Sequence, residues 1–175
     1  MKKYFSTILL ILMSFVGLGL LLYPTLSDYI NSLHQSKAIS AYAESVENMD
    51  TEEYEAMLSA ARKYNAALAQ STQRYELTDE EERQYSQLLD VDGNGVMGYI
   101  EIPSIDVSLP IYHGTSDSVL NSSIGHLDWT SLPVGGESTH CVLSGHRGLP
   151  SAKLFTNLIS LWLAIRFFSE RWTKS

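Results

Sequence analysis

The N-terminus of this chain leaves the fewest structural options. From Phe5 to Tyr23 there is no charged residue, with Lys2 and Lys3 before the run, Gly17 and Gly19 inside it and Pro24 closing it. About 19 residues at ~1.5 Å each nearly cross a hydrocarbon core of ~30 Å, and in lipid such a segment must be helical to satisfy its own backbone groups. A cleavable signal peptide would have an apolar core of about 7–15 residues and a small-x-small site after it. Tyr23-Pro24-Thr25 is a poor site of that kind. Residues 1–25 therefore read as an uncleaved signal-anchor. The two lysines keep the N-terminus cytoplasmic, so the expected location is the cell membrane, single-pass, with the remaining chain facing outside.

At 175 residues the chain has room for one modest domain beyond the anchor. A net charge of -8 argues against nucleic-acid partners, since no basic patch is present to displace phosphate counterions. A single cysteine rules out an internal disulfide. Residues 26–94 form a helical N-terminal region. Leu26, Ile30 and Leu33 fall at helical spacing, as do Met57, Ala61, Tyr64 and Leu68. The acidic residues Glu44, Glu47, Asp50, Glu52, Glu53 and Glu55 suit a solvated helix face. Thr78 followed by Glu81 has the form of a capping box and predicts a helix over Asp79–Leu89.

The periodicity then changes. Tyr99-Ile100-Glu101-Ile102-Pro103 alternates, as do Ile105, Val107, Leu109 and Ile111, and a further strand is expected over His140–Ser144. Between helix and strands, Asp90-Val91-Asp92-Gly93-Asn94-Gly95 with Glu101 at the twelfth position satisfies a calcium-loop pattern. Glu101, however, falls in an alternating run with Pro103 two residues on, where the loop would need a second helix. A turn rich in Asp, Asn and Gly is the preferred reading, with no metal and no cofactor.

Ser144-Gly145-His146-Arg147-Gly148 sets a histidine between glycines at the end of an apolar run, a common way to present a catalytic base. Cys141 is the obvious nucleophile to test against it. A separation of five puts the two side chains on opposite faces of an extended run, ~16 Å apart along it at ~3.3 Å per residue, whereas nucleophile and base must meet at about 3 Å. Cys141, flanked by Val142 and Leu143, reads instead as a buried apolar residue. Ser144 is nearer but has no nucleophile elbow around it.

Five segments together resemble the class C, pilin-type sortases: 98–103 (Gly-Tyr-Ile-Glu-Ile-Pro), 109–115 (Leu-Pro-Ile-Tyr-His-Gly-Thr), 125–127 (Gly-His-Leu), 130–136 (Thr-Ser-Leu-Pro-Val-Gly-Gly) and 144–155, from Ser144 through His146 to Phe155. The resemblance implies an α+β chain: a membrane helix and helical region followed by the first part of a sortase-type β-barrel, over 95–158. It implies a cysteine transpeptidase of Gram-positive bacteria that cleaves a Leu-Pro-x-Thr-Gly-like sorting signal. The acyl group would pass to a lysine of the next pilin, so the partners are pilin or surface proteins carrying such a signal. His146 takes the place of the catalytic histidine. The family's cysteine, in a Thr-Leu-x-Thr-Cys strand, and its catalytic arginine have no counterpart here; Arg147 belongs to the histidine motif. An Asp-Pro-aromatic lid is not found in 70–98, nor is the class's second membrane helix. The expectation is a barrel cut short and an inactive product, loosely structured over 95–158.

Residues 159–175 fit neither a strand nor a membrane span. Codons compatible with this tail can encode a sortase-like continuation when read one base earlier, so a frameshift near Leu158 is the expected origin of the tail; sequencing the locus checks it. The competing functional class is a membrane-tethered extracellular helical interaction module without catalysis.

Overall fold

The computed structural model describes residues 2–71 and 75–161. It opens with one continuous helix, α1 (Lys2–Asn48), which runs straight through Pro24. Proline removes one backbone donor and crowds the preceding turn, yet the anchor does not end there. It continues into the domain without a linker. Asp50 stops the first helix and starts the second: its carboxylate accepts from the backbone N of Glu53 at 2.8 Å and caps α2 (Thr51–Gln70). Glu52 and Glu53 in that first turn face the positive end of the helix dipole. Tyr54, Leu58, Ala61, Tyr64 and Leu68 form the buried stripe of α2, with Met57 at its margin.

The capping box forms as the sequence predicts. The Thr78 hydroxyl accepts from Glu81 N, while the Glu81 carboxylate takes the Thr78 backbone N–H at 2.8 Å, starting α3 (Asp79–Gln87). The helix ends at Gln87, two residues short of the expected end, with Leu88 as its C-cap, and Leu89 turns the chain at φ 66°. In the loop that follows, the Asp90 carboxylate accepts from the backbone N of Asn94 and Gly95, and Asn94 Oδ1 accepts from Val96 N. Glu101 lies on a strand, with the Ser108 hydroxyl 3.5 Å from its carboxylate.

β1 (Val96–Ile102) and β2 (Val107–His113) pair antiparallel, joined by a 3-10 turn at Pro103–Ile105 and irregular near Met97. Ile102, Ile105, Val107, Leu109 and Ile111 are all buried, so the alternation read from the sequence marks the core face. A short helix, α4 (Asp117–Leu120), carries the chain to β3 (Ile124–His126), which lies parallel to β2. β4 (Leu143–Ser144) pairs antiparallel with β3, giving the sheet order β1-β2-β3-β4. A separate hairpin follows, β5 (Arg147–Leu149) with β6 (Ala152–Leu154).

The strand expected over His140–Ser144 is a strand only at its last two residues. Ahead of them the chain is held irregularly: the His140 carbonyl accepts from Ser131 N, and the Val142 carbonyl from Leu127 N. The last described turn, a 3-10 helix at Thr156–Ser160, includes Ile159 and Ser160; the rest of the expected non-native tail, from residue 162, lies outside the described residues. The architecture is mixed α+β, with α1 and α2 packed on a partial sheet.

Candidate active site

His146 occupies the turn between β4 and β5, and two of its neighbours explain why the turn needs glycine. A Cβ on Gly145 would come within 2.6 Å of the Ile124 Cγ2 and 2.9 Å of the Phe155 ring, so the backbone passes where no side chain fits. Gly148 sits at φ 91°, a left-handed conformation that glycine adopts without steric cost. The turn is then pinned at two points. The His146 carbonyl accepts from Phe155 N at 3.2 Å and Gly148 N donates to the Thr156 hydroxyl at 3.1 Å, while the segment making these bonds is itself tied down where Asn157 Nδ2 donates to the Ile105 carbonyl at 3.2 Å. The result is an exposed imidazole on an immobilised backbone. Among the described residues none hydrogen-bonds to the His146 ring. Its nitrogens are open to an incoming group.

The structure corrects the expectation for Cys141. The residue is exposed, not buried, because residues 140–142 lie outside the regular sheet. Desolvation by the protein packed around it nevertheless pushes the thiol up to about 11. At neutral pH it stays a thiol, and the thiolate is the nucleophilic form. Ser144 lies in β4 opposite Gly125, half-buried and within the sheet.

The most elaborate polar arrangement was not legible in the sequence. His126, on β3, is completely buried. Its Nε2 lies 2.9 Å from the Ser131 carbonyl, which can only accept, so Nε2 carries the proton. Nδ1 then accepts from the Tyr85 hydroxyl at 2.9 Å, and that hydroxyl accepts from Gly114 N at 3.0 Å. Desolvation holds the imidazole down at about 4, so it is neutral at physiological pH. Tyr85 comes from α3, and its own hydroxyl is raised well above its ordinary value by burial. The loop that receives this network is the one that holds the approach to His146. Thr130 Oγ1 accepts from Val142 N at 3.1 Å and donates to the Leu127 carbonyl at 2.8 Å.

His113 makes a second tie, its ring nitrogens 3.0 Å from the Gly95 carbonyl and 2.8 Å from the Leu88 carbonyl. His126 and His113 are thus supports: one is sealed from solvent and the other is bound at both nitrogens. Among the described residues, the exposed His140 and His146 rings both lack a hydrogen-bond partner, and His146 is set apart by its place on the glycine turn between β4 and β5. The signal that could have flagged His126 was Gly125-His126-Leu127 itself, a polar residue in a short apolar strand. Its partners lie 41 residues away in sequence for Tyr85 and become visible only in three dimensions.

A sortase domain model matches residues 100–163. No curated protein matches the chain. Among solved structures, sortase C1 of Streptococcus agalactiae is 47% identical with a TM-score of 0.69, over 72% of this chain and 65% of that one. A sortase C of Streptococcus pneumoniae, described for its pilin substrate specificity, is 40% identical with a TM-score of 0.61, over 72% of this chain and 63% of that one. Sortase C-1 of Actinomyces oris is 44% identical with a TM-score of 0.53, over 61% of each chain. The chain spans less than two thirds of the length of each of these three relatives.

Proposed function

Because this chain belongs to the sortase family, we propose that it carries the histidine-bearing part of a class C, pilin-type cysteine transpeptidase, tethered to the membrane by α1 with its domain outside. The observation that carries this is the Gly145-His146-Arg147-Gly148 turn: an exposed imidazole, free of side-chain partners, on a backbone pinned by Phe155 and Thr156. In the reaction a thiolate attacks the threonine carbonyl of a Leu-Pro-x-Thr-Gly-like signal. The Thr–Gly bond breaks as His146 protonates the departing glycine amine, leaving a thioester. His146 then accepts a proton from the incoming lysine amine of a pilin, which attacks the thioester, forms the amide and releases the thiolate.

Cys141 is not that thiol. It precedes His146 on the far side of β4, and its thiol is pushed up, not down. Within these 175 residues we assign neither the nucleophile nor the oxyanion-stabilising arginine, and without them no acyl-enzyme forms.

The test is a chimera. The 175-residue chain is extended with the corresponding C-terminal segment of the S. agalactiae sortase C1 and assayed with a fluorogenic sorting peptide. Cleavage by the chimera, none by the unextended chain, and loss on His146→Ala support the proposal. Undiminished turnover in the His146→Ala chimera would remove His146 from the reaction. Turnover by the unextended chain that disappears on Cys141→Ala would restore Cys141 as the nucleophile.

A further inference from the structure

The stretch of α1 just beyond the anchor is packed inside out. On one side, polar side chains dock the domain. The Asp28 carboxylate accepts from Lys153 N at 2.7 Å and lies 3.6 Å from the Lys153 Nζ. Asn31 Nδ2 donates to the Ser151 carbonyl at 2.8 Å, Gln35 Nε2 to the Ser122 carbonyl at 2.6 Å, and the Tyr42 hydroxyl to the Met97 carbonyl at 3.0 Å. On the other side, Leu26, Tyr29, Ile30 and Leu33 are 59%, 60%, 44% and 52% exposed. At ~100° per residue the two sets lie on opposite faces of the helix. A helix on a water-soluble domain shows the reverse arrangement, apolar inward and polar outward. A contiguous apolar face turned away from the protein calls for an apolar surround.

Continuity with the anchor, charge and length identify that surround as lipid. The stripe continues the uncharged run of the anchor on one unbroken helix. Between Lys3 and Lys37 the single formally charged residue is Asp28, which faces the domain and pairs with Lys153. The rise from Phe5 to Leu33 is about 42 Å, and a bilayer including both headgroup zones is about 40–45 Å thick. One turn past Leu33, on the same face, comes the exposed Lys37, placed where phosphates would receive it.

We propose that Leu26, Tyr29, Ile30 and Leu33 lie in the headgroup zone of the leaflet on the domain's side, while Asp28 and Asn31 clamp the β5–β6 hairpin to the helix and so hold the His146 turn at the membrane surface. Asp28 and Asn31 stand about 8–12 Å along the axis from Tyr23. That places the hairpin roughly one headgroup layer above the hydrocarbon core, and the hairpin is tied to His146 by the Phe155 N–His146 carbonyl bond. Asp28 and Asn31 are positioning residues. They set the height at which the imidazole works, which suits a peptide substrate still emerging from the bilayer. This inference rests on the membrane-anchor part of the proposed function and not on catalysis.

The experiment uses the full chain in phosphatidylcholine nanodiscs containing a minority of phosphatidylglycerol, in a Cys141→Ser background. A fluorophore is placed at Leu12→Cys, Leu33→Cys, Glu44→Cys or Pro150→Cys, and nitroxide lipids act as quenchers. Leu12 should be quenched by a deep acyl nitroxide. Leu33 and Pro150 should be quenched by a headgroup nitroxide several-fold more than Glu44. Asp28→Ala/Asn31→Ala should return Pro150 to the Glu44 level while leaving Leu33 quenched. Leu33 no more quenched than Glu44, with Leu12 quenched normally, would overturn the placement while the anchor stands. Failure at Leu12 would overturn both. Shielding of Leu33 from lipid and aqueous quenchers alike would assign the stripe to a second copy or another protein and overturn the lipid assignment. Pro150 quenching unchanged in the double variant would remove the clamp.

Discussion

Acid should unfold this domain through one buried histidine, and the size of the effect can be worked out. His126 is neutral in the fold because burial opposes its charge, which brings its ordinary value of 6.5 down to about 4. In the unfolded chain the imidazole binds its proton near the ordinary value. Between those two values the unfolded state therefore holds a proton that the native state lacks, so stability rises with pH there and falls on acidification. The full gap corresponds to about 3 kcal/mol at 1.36 kcal/mol per tenfold in proton affinity. From about pH 7 to about pH 4.5 the loss comes to about 2 kcal/mol, a large share of the 5–15 kcal/mol typical of a domain. Urea unfolding of the full chain in nanodiscs, followed by Trp129 fluorescence, measures it. The comparison protein is His126→Gln, which starts less stable because the Tyr85 and Ser131 contacts are disturbed, but lacks the titrating group. Carboxylates such as Glu81, held below its ordinary value by the Thr78 amide and hydroxyl, act in both proteins and cancel. Equal losses in the two proteins over this range would refute the assignment of His126 as a neutral, desolvated strut.

Three further outcomes are expected. Gly145→Ala should cost about 1–3 kcal/mol by overpacking, since its Cβ meets the stiff, buried Ile124 at 2.6 Å, and denaturant midpoints will show it. Thr78→Ala removes the N-cap of α3 and should cost about 0.5–2 kcal/mol, read as faster amide exchange across Asp79–Gln87. Cys141, with its thiol at about 11, should react with iodoacetamide at neutral pH about 100-fold more slowly than a thiol near 9, the rate climbing about tenfold per pH unit; a fast neutral reaction would contradict the desolvation.

The parts of this protein visible in the sequence are those whose causes are local. The uncharged run at Phe5–Tyr23, the Thr78–Glu81 capping box and the alternation of Ile105, Val107, Leu109 and Ile111 each depend on residues a few positions apart, and the structure realises each of them. The glycine-flanked histidine was likewise visible, because Gly145 and Gly148 are required by the backbone path itself. Tertiary structure decided the rest. It carried α1 through Pro24 and turned its polar face onto Ser151 and Lys153, contacts 120 and 125 residues apart in sequence. It joined Tyr85, His126 and Ser131 into one satisfied network, and it left Cys141 outside the regular sheet. A side chain's partner, and hence its charge and its exposure, depends on which distant segments the fold brings together; spacing along the chain sets helix and strand periodicity but carries no record of that encounter.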